Sequence, residues 1–450
     1  MFDQSFSHQN LFKIYVHENK KGNNLAERFF EDVSEEYTKV KRARKLISKI
    51  YSRRRYYSPA VFEKRVLLLY RLLREVKNKK NEVVRSHLKI ISNKISERKF
   101  KFSLTKLDEK VNDKDVFITG SSVDSFFAEK QIQKNIKYTY GVKQADRDLI
   151  VPQLRSVLAN KFPKIIIKTD IKSFYETIDR ELLLKKLNKS PILSLTTRKI
   201  IARLLESYEE QSGASLGIPR GVGVSAYLAE LYMKDFDAEV EKLPSLIYYA
   251  RYVDDIVIVL SHTPGKDSQH HLDFIESRLR EEQLSLNLTG DKTKTIDFST
   301  ANCNFQFDYL GYKFKCASGS VKLELADKKK SKYHKRISDA INAYNKHSKR
   351  QPKKARRELL LRLKFLTYNT KLSNNKGNAV VGIYNSNRWI TSSDCLQNLD
   401  HKLQGLANAI NNAGLRNRIS KCSFKEGFDR RLFANFTAQE FSIITRAWSK

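Results

Sequence analysis

Residues 246–260 read LIYYARYVDDIVIVL, and the fold turns on how this stretch is interpreted. Leu246 to Tyr252 and Ile256 to Leu260 are apolar, β-branched or aromatic, the composition of strands buried in a sheet, with Val253, Asp254 and Asp255 between them. Two such arms predict a hairpin carrying a pair of carboxylates at its tip. Asp also occupies turns for local reasons, because its side chain bonds its own backbone. Adjacent carboxylates between buried arms, however, repel one another and invite a divalent cation.

Upstream, residues 164–179 read KIIIKTDIKSFYETID, a β-branched run that ends on Asp170 and leads into a Leu-rich helix from Arg180 to Leu187. An unpaired acid at the end of a buried strand costs several kcal/mol, so a cation is expected beside it. Between the two acidic places lies Gly217-Ile218-Pro219-Arg220-Gly221, opening into a helix whose apolar face is Leu228, Leu231, Tyr232 and Phe236. Its glycines let backbone approach a ligand closely, and Arg220 is able to pair with a phosphate or a base. Glycine-rich loops are also ordinary connectors.

The chain has 450 residues and a formal charge of +35, with 40% apolar residues, a globular composition that carries a polyanion binder's charge. The charge is concentrated. Lys39 to Lys99 holds 21 Lys and Arg against 4 Asp and Glu, and Lys328 to Lys364 holds 15 against 2, leaving the remainder nearly balanced. Both segments read as helical nucleic-acid grips. In the first, Phe62, Val66, Leu69, Leu73 and Val76, then Val84, Leu88, Ile91 and Ile95, predict two packed helices joined by a basic turn over 77–81. In the second, a basic helix with an apolar face follows Gln351-Pro352. Cys303, Cys316, Cys395 and Cys422 show no CxxC spacing, which argues against a zinc module or a disulfide scaffold and for a reducing, cytoplasmic home. Neither a signal sequence nor a membrane span is expected.

The ordered set Thr169 to Tyr175 (TDIKSFY), Gly217 to Gly221 (GIPRG), Tyr252 to Asp255 (YVDD), Leu286-Asn287 leading to Lys292-Thr293, and Phe307 to Tyr312 (FDYLGY) resembles the palm of reverse transcriptases. The likeness runs from about residue 140 to 315, and KTDIKSFYETID, GIPRGVGVSAYLAELYM and YYARYVDDIVIV look most like the bacterial defence-associated, or unknown-group, enzymes. The resemblance implies an α+β right-hand polymerase: a basic helical N-terminal extension over 1–100, fingers and palm over 101–315, and a helical thumb and C-terminal region over 316–450.

It implies residue roles as well. Asp170 and Asp254 would hold two Mg²⁺ ions, with Mn²⁺ as a substitute, the Ile171 main chain would be a further ligand, and Asp255 would support the site or bind metal more weakly. Tyr175 would lie under the sugar and exclude a 2′ hydroxyl, with Phe174 a core anchor. Arg220, Gly221 and Lys292 would serve the nucleotide, Lys294 competing with Lys292 for that role by spacing, while Lys143 and Arg147 are fingers candidates for the triphosphate. Tyr309, Leu310, Gly311 and Tyr312 match the primer-gripping hairpin. Arg220 stands where the family's loop usually has Gln, replacing a neutral amide with a guanidinium.

Three relatives fit less well. A mobile-intron enzyme carries a Cys/His nuclease tail that is missing after Lys364; a retron enzyme carries an Asn-Ala-x-x-His box and a Val-Thr-Gly after the Lys motif, where this chain reads LLESYEE and TKTID; a viral RNA polymerase must admit the hydroxyl that Tyr175 excludes. Ile118-Thr119-Gly120 exists but lies upstream. The expected function is RNA-directed DNA synthesis from deoxynucleotide triphosphates on a cognate noncoding RNA in antiphage defence, with DNA as product and a second copy, a partner polymerase or an effector as further partners. Template-independent or protein-primed synthesis by the same fold, and a catalytically inactive RNA-binding protein, are the alternatives.

Overall fold

The β-branched run Ile165-Ile166-Ile167 forms the heart of a strand, Lys164–Asp170, in which all seven residues are buried. A strand buried on both faces must be interior to a sheet. It is: the four-stranded antiparallel order is Leu246–Tyr252, Asp255–Ser261, Lys164–Asp170, Lys294–Phe298. The expected hairpin is present and tighter than its sequence suggested. Tyr252 pairs with Asp255, so the second strand already begins at Asp255 and the turn contains only Val253 and Asp254. Val253 has φ 62°, at the first central position where two-residue hairpin turns favour glycine, an uncommon conformation for a β-branched residue.

The structure is a computed structural model that describes residues 2–111, 113–119, 122–262, 267–298, 304–317, 319–372 and 379–448, so Gly120 and Cys303 lie outside the described residues. The chain forms two compact units. One comprises Met1–Gln144, Ser173–Asp235 and Glu282–Leu284; the other comprises Ala145–Lys172, Phe236–Glu281 and Ser285–Lys450. The expected breaks near 100 and 315 both fall inside units.

The second unit holds the four-stranded sheet and a three-stranded antiparallel sheet, Phe305–Tyr309, Tyr312–Ala317 and Ser320–Leu325. Its core continues into the helices Asp327–Ser348, Pro352–Thr367 and Asp394–Asn408. As the sequence indicated, Pro352 opens a basic helix that buries Leu359, Leu360, Leu363 and Leu366, and Cys395, Leu396, Leu399 and Leu403 form the inner face of another. Cys316, Cys395 and Cys422 are buried free thiols. Among the described residues no helix is long and apolar enough to cross a membrane. The α+β class agrees with a right-hand polymerase, sheet elements carrying the motifs and helices forming both ends of the chain.

The first unit is mainly helical, and here one expectation is corrected. The predicted break at 77–81 does not occur: Pro59–Ser96 is a single helix of 38 residues. Its packing stripe is continuous because Lys80 bridges Val76 and Val84, lying 5.7 Å from the Tyr15 ring with its ammonium pKa lowered by burial and then by Arg44 and Lys77. The aliphatic stem of a lysine does the work of an apolar residue there. The helix packs on Val33–Ser52 through Leu73, Val40, Ala43 and Ile47. Proline at position 80 tests this continuity: in one unbroken helix Lys80→Pro costs about 3 kcal/mol or more, seen as a lower urea midpoint, whereas a turn over 77–81 would tolerate it.

Candidate active site

In the second unit, sheet register alone sets Asp170 opposite Asp255. Directly opposed residues hold their Cβ atoms about 5 Å apart, and like charges so placed destabilise the sheet. Asp170 is 4% exposed. Its Oδ2 accepts from the Lys292 ammonium, and its Oδ1 is buried without a hydrogen-bond partner among the described residues. Asp254 sits in the turn, where its carbonyl accepts from the Ile171 amide at 3.1 Å. The bonds from Asn287 N to Asp170 O (2.8 Å) and from Lys172 N to Ser285 O (3.0 Å) fix the peptide planes that flank Ile171.

Burial, and then the charge of Asp254, push the Asp255 carboxyl up to about 6, against the opposing pull of Lys168. Lys168 is the cation that an acid-bearing buried strand required. It lies two residues before Asp170, on the same face, and donates to Lys292 O at 2.8 Å; burial lowers its pKa. Its alternation with Asp170 is visible in the sequence KTD. The side chain of Lys292 is 51% exposed, and its bond to Asp170 raises its pKa. Lys294 pairs instead with Asp291 at 3.0 Å, which distinguishes the two lysines that spacing left open.

Arg251, also overlooked in the sequence, braces the strained turn: its Nη1 donates to Val253 O at 3.0 Å while its Nη2 holds Asp237 at 2.6 Å. Beneath, the Tyr309 hydroxyl lies 3.4 Å from both Ala250 O and Asp255 O. Tyr309 and Tyr312 are 2% and 1% exposed, so within the expected primer grip the two rings are core groups and only Leu310 (φ 47°) and Gly311 (φ 76°) form the tip. Arg147, expected to reach a triphosphate, stacks at 4.7 Å on the Tyr312 ring and donates to Ser386 O at 3.5 Å. A groove of about 670 Å³ runs past Lys168, Asp255, Lys292, Asp308, Tyr309 and Lys313.

In the first unit, Phe174 is buried as a core anchor while Tyr175 is half-buried, its ring 5.0 Å from the Arg220 guanidinium. Arg220 is also forked on Glu176, at 3.1 Å and 3.3 Å. The sequence offered no cue that Glu176 would hold it. Gly217 (φ 88°) lies so close to Tyr175 that a Cβ would be 2.9 Å from its carbonyl oxygen, and a Cβ on Gly221 (φ 93°) would be 2.7 Å from Phe117 O. The loop glycines are thus required by backbone approach. Lys143 is exposed.

Among the described residues no three His, Cys, Asp or Glu side chains converge as a ready-made metal cage. The donor set still fits Mg²⁺, which takes hard oxygen ligands and is held by one or two carboxylates completed by substrate phosphates. The orphaned Oδ1 of Asp170 supplies the observation that such an ion would explain.

Residues 123–314, under half of the chain, match the family described as reverse transcriptase (RNA-dependent DNA polymerase). The chain therefore carries a reverse transcriptase domain, the domain of a class of nucleotidyltransferases. Among solved structures it is similar to apo telomerase from Candida tropicalis truncated from its C-terminal domain, with 16% identity over 44% of this chain and 45% of that one and a TM-score of 0.33. It is also similar to telomerase from Candida albicans in complex with a fragment of telomeric RNA, with 13% identity over 72% of this chain and 57% of that one and a TM-score of 0.32. The chain thus spans about half the length of each. No curated protein matches it.

The acids make a prediction about stability. Because the Asp255 pKa is higher folded than unfolded, the folded state binds the extra proton, and stability falls as pH rises from about 4 to about 6. In EDTA, Asp255→Asn is expected to be more stable than wild type by on the order of 2 kcal/mol at pH 7, with the difference in Tm vanishing below about pH 4. Adding Mg²⁺ raises the wild-type Tm, and that of the variant by less, because Asp170 and Asp254 remain to hold the metal.

Proposed function

We propose that this protein is an RNA-directed DNA polymerase of the bacterial defence-associated kind, copying a cognate noncoding RNA into DNA within a cytoplasmic antiphage response. The observation that carries the polymerase reading is the pairing of Asp170 with Asp255 across two buried strands, in a segment that matches the reverse transcriptase family. Opposed acids on buried strands weaken a sheet and are kept for what they bind. The defence role and the noncoding RNA rest on the motif resemblance.

Asp170, Asp254, Asp255 and the Ile171 main chain are assigned to two Mg²⁺ ions, which when bound supply charge stabilisation for in-line phosphoryl transfer. Asp170 and Asp255 are oriented by the sheet, and Asp254 by the turn that Arg251 braces. Lys292 balances the charge of Asp170, and its half-exposed ammonium is assigned to the substrate phosphates. Tyr175 is assigned to sugar selection, with Arg220 and Glu176 fixing its ring and Gly221 letting the loop backbone approach the nucleotide. Leu310 and Gly311 are assigned to the primer strand, and Tyr309 and Tyr312 to the support of that hairpin.

Two basic surfaces support an RNA partner. One is a groove of about 700 Å³ lined by Lys353, Arg356, Arg357, Lys364, Arg418 and Lys421. The other is the helical turn at Arg54 and Arg55, where Arg54, Arg55 and Arg65 lie 4.7–5.3 Å from the Phe62, Tyr56 and Tyr57 rings.

Deoxynucleotide incorporation on RNA recovered with the purified protein tests the reading. Asp254→Asn should reduce it by about a thousandfold or more, and Tyr175→Ala should admit ribonucleotides. Equal incorporation by wild type and Asp254→Asn would refute the catalytic assignment; a repetitive product without a matching RNA would favour untemplated synthesis. For the RNA surface, replacing Lys353, Arg418 and Lys421 together with Gln should lower the magnitude of the log–log salt slope of RNA binding by about 2. An unchanged slope would remove that groove from the interface.

A further inference from the structure

The helices His8–Lys20, Val123–Tyr140 and Gly223–Tyr232 of the first unit enclose a pocket of about 310 Å³ that is lined by none of Asp170, Asp254 and Asp255. Its wall is cationic. Lys130, Lys134 and Lys137 recur along one face of the second helix, facing Lys13 from the first, with Lys21 at its edge. The pocket's one carboxylate, Glu18, is already engaged, accepting from Lys21 and from Asn23 at 2.8 Å each. Lys130 lies 3.4 Å from Gln133 Oε1. Asp3 offsets part of the charge on Lys134 while accepting from Ser5 and Asn10. Lys13, Lys134 and Lys137 thus share a concave wall in which three cations face one nearby carboxylate, Asp3, whose charge acts on both Lys13 and Lys134. Burial, and then the charge of Lys13, lower the pKa of Lys134, and Asp3 offsets only part of that effect.

Beside the lysines stand two rings. Tyr138 is 62% exposed and lies against Phe2, with centroids 5.1 Å apart and the rings tilted by 36°, and Tyr227 is half-buried on the opposite helix. An exposed ring supported from behind by a second ring is a platform for a flat group. The volume sits at the small end of ligand sites, which run from about 300 to 1,000 Å³, and suits one nucleotide.

We infer that this pocket binds a single nucleotide, its phosphate held by Lys13, Lys134 and Lys137 and its base stacked on Tyr138. The nucleotide is either free or an unpaired member of a single-stranded RNA, since both present the same phosphate and base. The inference does not depend on polymerase activity, and it can be tested with catalysis silent.

Full-length protein in EDTA is titrated calorimetrically with adenosine 5′-monophosphate and with a single-stranded adenylate pentamer. Wild type binds at least one probe; binding of the monophosphate points to a free nucleotide, and binding of the pentamer alone points to a strand. Lys13→Gln/Lys134→Gln is expected to weaken that binding by about tenfold or more, as loss of two charged hydrogen bonds would. Tyr138→Ala, at an exposed ring that folding does not require, is expected to weaken it by about tenfold, within the cost of one lost base stack. Asp254→Asn binds as wild type does.

Failure of both probes to bind below about 1 mM overturns the site. So does a loss smaller than about threefold in the lysine variant, or a comparable loss in Asp254→Asn. A loss in the lysine variant with none in Tyr138→Ala overturns the nucleotide assignment, because the pocket would then recognise charge alone.

Discussion

Two carboxylates of like charge, Asp170 and Asp255, are held opposite one another by the register of a buried antiparallel pair, and much of the second unit answers to that opposition. The side-chain period of a strand is two, so a slip of one residue would turn Asp170 to the other face and bring Thr169 to the site. The register is anchored where slippage would cost most, by the Ile165 to Ile167 run between Ile258–Leu260 on one side and Thr295–Asp297 on the other. Lys168 and Lys292 approach the acids, and Tyr309 supports the hairpin from below. Val253 is held at positive φ under the Arg251 brace, a local cost of about 1–3 kcal/mol that the surrounding sheet sustains to place Asp254 at the tip.

The first unit shows a second way of fixing a site, by backbone proximity. Gly217 N donates to Ile178 O and Ile218 N to Tyr175 O, each at 2.8 Å, so the loop lies directly on the turn that carries Tyr175. Phe117 N donates to Arg220 O at 2.8 Å from the other side. The Arg220 side chain is thereby delivered to Glu176 and to the Tyr175 ring. The guanidinium that distinguishes this loop from the family's usual amide is a structural member of the aromatic platform, in addition to any ligand it meets.

Much of this was legible in the chain itself. The hairpin, the acid at the end of the isoleucine run and the loop before its helix could be read because each is local: strand composition, turn spacing and glycine carry the information within about ten residues. What was missed depends on partners distant in sequence or on atoms that residue classes conceal. Lys80 interrupted a stripe on paper because it is counted as polar, yet its stem is four methylenes long and the helix continues through it. Tyr309 and Tyr312 read as gripping groups, whereas both are buried against groups distant in sequence, Tyr309 at the Ala250 and Asp255 carbonyls and Tyr312 beside Arg147 and Lys329. Glu176, Arg251 and Lys168 act through particular atoms on particular neighbours, which no motif spells out.

The central strand has one further consequence, for synthesis on the ribosome. Lys164–Asp170 emerges well before either neighbour, Asp255–Ser261 or Lys294–Phe298, has been made. During that interval three consecutive isoleucines have no sheet to enter, and an unpaired apolar strand is a template for pairing with other nascent chains. Lys161, Lys164 and Lys168 bracket the isoleucines with positive charge at that stage. Lys164 later disappears into the fold, donating to Val157 O at 3.1 Å. Lys164 and Lys168, which end up buried in the finished sheet, are gatekeepers while it is being translated.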